Sequence, residues 1–178
     1  MKRAELEHII RACSAMTGHT QFVITGNLAL LGLGADAPEE LITSLTADLF
    51  CQGDPEATRI IAKSLGESTL FDTTFGYCAR GVEEEAIILP EGWRERVIPI
   101  ESSNTAGACG YCLEVHDLAV SRLAAHHDDD FTFLLGLLSH RLIDEGTLEE
   151  RLESTEMSTS LRAECEGRFA RLIRALTL

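Results

Sequence analysis

An apolar run, Phe22-Val-Ile-Thr, ends in Gly26-Asn27, and a later run, Leu45-Thr-Ala-Asp-Leu-Phe, carries a single carboxylate, Asp48. A tight turn at a helix start offers backbone N–H groups to a phosphate, and a nearby Asp offers oxygens to Mg²⁺. Gly26, Asn27 and Asp48 therefore suit metal–nucleotide chemistry. Two carboxylates two residues apart on a strand would face the same side and both reach a metal. Thr46 holds the first of those two places, so one carboxylate stands where such a site would use a pair.

Other constellations are weaker. Cys109-Gly-Tyr-Cys112, with His116 after it, invites a zinc reading. A closed zinc site needs four soft or imidazole ligands, usually from two such pairs. Only one Cys-x-x-Cys is present, with His126, His127 and His140 as remote completions, so zinc is not expected. A thioredoxin-type redox motif should open a helix after a strand, which this segment does not do. The run His126-His-Asp-Asp-Asp130 reads as a helix–helix turn with Asp caps. The last segment sets Arg162, Arg168, Arg171 and Arg174 beside Leu161, Phe169, Leu172, Ile173 and Leu176. That is an amphipathic helix for packing on a bundle or a partner subunit.

The elements that must position these residues follow from periodicity and punctuation. Leu6, Ile9, Ile10, Cys13 and Met16 recur at helical spacing, which predicts a helix over residues 1–17 closed by Gly18. Residues 22–25 read as a buried strand, 28–33 as a helix and 45–51 as a second strand. Asp54-Pro55 predicts an N-cap with Pro at the first helical position, opening a helix through Leu65. Between residues 68 and 113, β-prone runs at 75–80, 86–89, 94–101 and 109–113 alternate with Gly and Pro. Helices are expected at 116–126, 129–140, 147–153 and 158–176. The expected plan is α+β: a mixed sheet with flanking helices at 1–113, and a C-terminal helical bundle at 114–178.

Composition narrows the function classes. At 178 residues, 45% hydrophobic and 25% charged, the chain can bury a core in the manner of a soluble globular protein. A formal charge of −14 argues against a sequence-blind grip on a nucleic-acid backbone, which needs many Lys and Arg. It leaves room for a small nucleotide held by a few local donors. The charged N-terminus has no apolar segment behind it, and no apolar run is long enough to span a bilayer, so a cytoplasmic location is expected. The six cysteines are accordingly read as free, mostly buried thiols.

Val23-Ile-Thr-Gly-Asn-Leu-Ala followed by Ala47-Asp-Leu-Phe resembles the polymerase-β type nucleotidyltransferase fold. The nearest likeness is to AbiEii-like toxins and uncharacterised bacterial nucleotidyltransferase-like proteins. Supporting pieces are Ala37-Pro-Glu-Glu-Leu, Leu89-Pro-Glu-Gly-Trp-Arg-Glu-Arg and Glu114-Val-His-Asp-Leu-Ala-Val-Ser-Arg, and the likeness covers most of residues 20–143. The resemblance implies transfer of a nucleoside monophosphate from an NTP to a hydroxyl, with two Mg²⁺ ions held by three carboxylates. It assigns Gly26 and Asn27 to the phosphate-holding turn, and Asp48 to the second carboxylate, a metal ligand. Glu85 is the nearest candidate for the third metal-binding carboxylate, with Glu101 behind it. Arg122 falls where related proteins have a helix Lys that reaches the triphosphate. The basic residues that relatives carry near 126–130 are missing here.

Two functions follow. One is an active nucleotidyltransferase, with Mg²⁺ and NTP, that modifies a protein or RNA acceptor. The other is an inactive fold kept for binding or interaction, in a homodimer or a toxin–antitoxin-like pair. Thr46 weighs against the first.

Overall fold

The computed structural model describes residues 1–176; Thr177 and Leu178, the end of the expected 114–178 region, lie outside the described residues. The chain divides into two compact units. The first comprises Met1–Ala86 and Val97–Leu113, and the second Ile87–Arg96 together with the chain from Glu114 onward.

The first unit is built on a five-stranded mixed sheet. Its strands are β1 (Gln21–Thr25), β2 (Thr46–Phe50), β3 (Cys78–Gly81), β4 (Ile98–Ile100) and β5 (Cys109–Cys112), in the order β3-β2-β1-β5-β4. β1 runs antiparallel to β2 and parallel to β5, while β2 and β3 are parallel. Alternation turns Phe22, Ile24, Ala47 and Leu49 to one face, where all are fully buried. Helix α1 (Arg3–Thr17) lies on that face, with Leu6, Ile9, Ile10 and Cys13 buried, and it closes on Gly18 in the left-handed conformation. The approach is close enough that a Cβ on Gly110 of β5 would stand 2.5 Å from Cδ1 of Ile10. Helix α2 (Pro55–Leu65) starts where its cap predicts, with the Asp54 carboxylate accepting from the Ala57 N–H at 2.9 Å.

Four local expectations change. Residues 27–36 form 3-10 turns kinked at Gly34, not an α-helix over 28–33. Leu28, Ala29, Leu30 and Leu31 are four consecutive buried residues, so this stretch has no polar face to present to water. Residues 75–80 are not one strand. Helix α3 (Leu70–Phe75) is capped by Thr69 and closed by Gly76 before β3 begins. Phe71 and Phe75, one turn apart, both contact the His8 ring on α1, and His8 Nδ1 lies 2.8 Å from the Tyr77 hydroxyl. Residues 86–89 form no strand; a 3-10 turn (Glu84–Ala86) passes into irregular backbone ahead of Pro90, with Ile87, Ile88 and Leu89 only half-buried. Of 94–101, only Ile98–Ile100 is extended.

The second unit is helical: α4 (Val115–Ala125), α5 (Asp130–Ser139), α6 (Glu145–Glu153) and α7 (Thr159–Leu176). Its core includes Leu118, Val120, Leu123, Leu137, Leu148 and Leu172. Glu114 caps α4 and Asp144 caps α6. At its centre the fully buried Asp117 accepts two hydrogen bonds of 2.9 Å from Arg96 and lies 3.4 Å from Arg151 Nε. The architecture is the expected α+β class, a mixed sheet with flanking helices and a C-terminal helical region. Among the described residues no helix is long and apolar enough to cross a membrane.

Candidate nucleotide site

The end of β1 and the start of β2 form a corner. Their register sets Thr25 opposite Asp48, so the carboxylate stands beside the turn that follows Thr25. Gly26 makes that turn with φ +65° and ψ −171°, a combination open almost only to glycine. A Cβ there would lie 2.6 Å from Asp48 Oδ2. Asn27, half-buried, begins the 3-10 segment, and the Ala29 N–H returns to the Gly26 carbonyl at 3.1 Å.

A cation meets the carboxylate directly. The parallel register of β2 and β3 pairs Asp48 with Arg80 and Thr46 with Cys78. Arg80 Nε donates to Asp48 Oδ1 at 2.7 Å, and Nη2 donates to Oδ2 at 2.8 Å. This is the bidentate fork in which guanidinium and carboxylate match best. The Asp48 side chain is 14% exposed and that of Arg80 66%, so the pair sits at the surface with its acidic half sheltered. The Thr46 hydroxyl lies 3.4 Å from Cys78 Sγ on the same face.

The other sequence-nominated residues lie elsewhere. Glu85 is exposed on the turn after β3 and lines a cavity of about 150 Å³ with Cys51, Asp54, Arg59 and Val82; Asp48 is not part of that lining. Glu84, beside it, accepts from the Gly53 N–H at 2.9 Å. Glu101 is exposed just past β4. Arg122 belongs to the second unit, where its Nη1 donates to the buried Asp130 at 2.9 Å. Asp130 also accepts from the His127 N–H at 2.7 Å, so it organises the 126–130 turn. Cys109 and Cys112 are three apart on one strand and point to opposite faces, which separates their sulfurs. All six cysteines are free and buried.

Gly26 and Asp48 are thus brought together, and Arg80 is the participant that sequence reasoning missed. It stood at the end of a β-prone run, and nothing local marked it as the partner of a residue 32 positions earlier. Paired Mg²⁺ ions demand several oxygen ligands in octahedral geometry. Here both Asp48 oxygens are engaged by Arg80, and Thr46 adds only a neutral hydroxyl. Among the described residues no three His, Cys, Asp or Glu side chains are grouped to hold a metal ion. The donor set at the corner does not fit a two-metal centre.

No curated protein and no solved structure matches the chain. A family model does, over residues 4–172, which take in the Gly26–Asp48 corner and reach from α1 into α7. On that match the chain belongs to the family described as "Nucleotidyltransferase of unknown function (DUF6036)".

Proposed function

We propose that this member of the nucleotidyltransferase family binds a nucleoside triphosphate at the Gly26–Asp48 corner without turning it over by two-metal transfer. The family membership supports an NTP as the ligand. The observation that carries the non-catalytic half is the bidentate Asp48–Arg80 pair, which spends the corner's one carboxylate on an internal cation. In-line transfer relies on paired metals to stabilise the attacking and leaving oxygens. Losing that stabilisation removes several kcal/mol from the transition state, which is orders of magnitude in rate. The finer likeness to AbiEii-like toxins extends this reading to an interaction protein in a toxin–antitoxin-like pair.

Calorimetric titration with each of the four ribonucleoside triphosphates in Mg²⁺ tests the binding half. Incubation with labelled NTP and cell lysate tests the other half. We expect saturable binding of at least one nucleotide and no label passed to protein or RNA. Silence with all four nucleotides would overturn the binding half; Asp48-dependent label transfer would overturn the rest.

A further inference from the structure

Resting on that nucleotide-binding reading, we infer that Arg80 is the built-in cation of the phosphate corner, so that the triphosphate binds without a divalent metal. A carboxylate beside a phosphate-holding turn repels its ligand unless a cation lies between them, which is the service a bound metal ordinarily performs. Asp48 is such a carboxylate, and its Oδ2 touches both parts of the corner. It lies 2.6 Å from where a Gly26 side chain would begin and 2.8 Å from Arg80 Nη2. Whatever rests on the Gly26 turn therefore meets the guanidinium through the same oxygen. A metal seeking Asp48 would first have to displace a bidentate Arg from both oxygens.

The guanidinium is equipped for the task. Of its five N–H groups, the fork to Asp48 uses two, Nε–H and one on Nη2. The side chain is 66% exposed, so the group is open to a ligand arriving from solvent. Arg keeps its charge at every physiological pH and matches phosphate oxygens in pairs. Asp48 hydrogen bonding and charge reinforce that protonated state. Asp48 in turn orients the fork, while Thr46 and Cys78, the neighbouring pair in the ladder, add no charge to the face. Asp48 and Arg80 together are neutral, so the ligand's phosphates meet no net negative charge from this pair.

The test compares binding of the four ribonucleoside triphosphates and of inorganic triphosphate in EDTA and in excess Mg²⁺. Wild type, Arg80→Gln, Arg80→Lys and Asp48→Asn are compared, with far-UV circular dichroism and melting curves confirming that each variant is folded. We expect wild-type affinity to be alike in the two conditions. Arg80→Gln should weaken it by about tenfold or more, the worth of a charge-assisted hydrogen bond, with Arg80→Lys between the two. Asp48→Asn should preserve or tighten binding in EDTA, because it removes the repelling carboxylate and leaves the guanidinium. A metal-bridged site gives the opposite sign. Binding that appears only with Mg²⁺, survives Arg80→Gln, or is lost in Asp48→Asn would overturn the inference while sparing the nucleotide reading. Absence of binding in both conditions would overturn both.

Discussion

A methyl group on Gly26 would stand 2.6 Å from Asp48 Oδ2, so turn and carboxylate fit together only because residue 26 has no side chain. The backbone there also lies in a region that other residues enter at a cost of about 1–3 kcal/mol. Gly26→Ala should therefore destabilise the protein by at least that amount and disturb the Asp48–Arg80 fork. A lower urea midpoint with unchanged slope is the expected readout. A midpoint equal to wild type would show that the corner has slack.

Two Arg–Asp forks of similar geometry should differ widely in weight. Asp48–Arg80 sits at the surface with its guanidinium open to water and its carboxylate sheltered, and surface pairs contribute up to about 1 kcal/mol. Asp117 is fully buried beneath Arg96 and Arg151, and breaking a buried pair costs about 3–5 kcal/mol. Urea unfolding should rank Asp117→Asn far below Asp48→Asn in stability. High salt should shrink the Asp48→Asn effect and leave that of Asp117→Asn. Equal losses would contradict the burial argument.

His8 and His116 should give stability opposite dependences on pH. Burial, with the Arg11 charge, holds His8 below its ordinary value of 6.5. Its contribution is present above pH 6.5 and fades as pH falls through the lowered value, because only the unfolded chain then takes up the proton. Burial also opposes protonation of His116, but Glu114 and Asp144, at 2.8 and 3.3 Å, outweigh it and raise that group above 6.5. Its contribution is complete below pH 6.5 and is lost as pH rises through the raised value. Melting temperatures across pH 5–9 should show the acid-side loss relieved in His8→Gln and the alkaline-side loss relieved in His116→Gln. The same slope in both variants would refute the assignment.

The cysteines should behave as inert core residues. All six are buried and unpaired, and burial pushes the Cys51 thiol up to about 11 and that of Cys112 to about 12. Native protein at pH 8 should react with a thiol reagent only as fast as it unfolds, and denaturant should release all six thiols at once. A fast-reacting native cysteine would point to an opening of the core that the packing does not suggest.

Much of the local architecture was legible because it is governed by neighbours in sequence. The Asp54-Pro55 cap, the Gly18 stop and the apolar spacing of Leu6, Ile9, Ile10 and Cys13 each specify a boundary or a face without distant partners. The failures came where burial overrode pattern. Residues 28–33 looked helical by composition, but Leu28, Ala29, Leu30 and Leu31 are all buried and the segment is held in 3-10 turns. Phe75 looked like the start of a β-prone run, but the Thr69 cap and its ring contacts with His8 and Tyr77 favour the end of a short helix.

The sequence by itself determined the α+β plan, the Gly26 turn, and the single carboxylate left by Thr46. Residue identity and short-range geometry are enough for those. Only the tertiary structure decided what that carboxylate does, because strand register is a long-range property. The parallel alignment of β2 with β3 brings Arg80 opposite Asp48, whereas a one-residue slip would have turned the guanidinium to the other face.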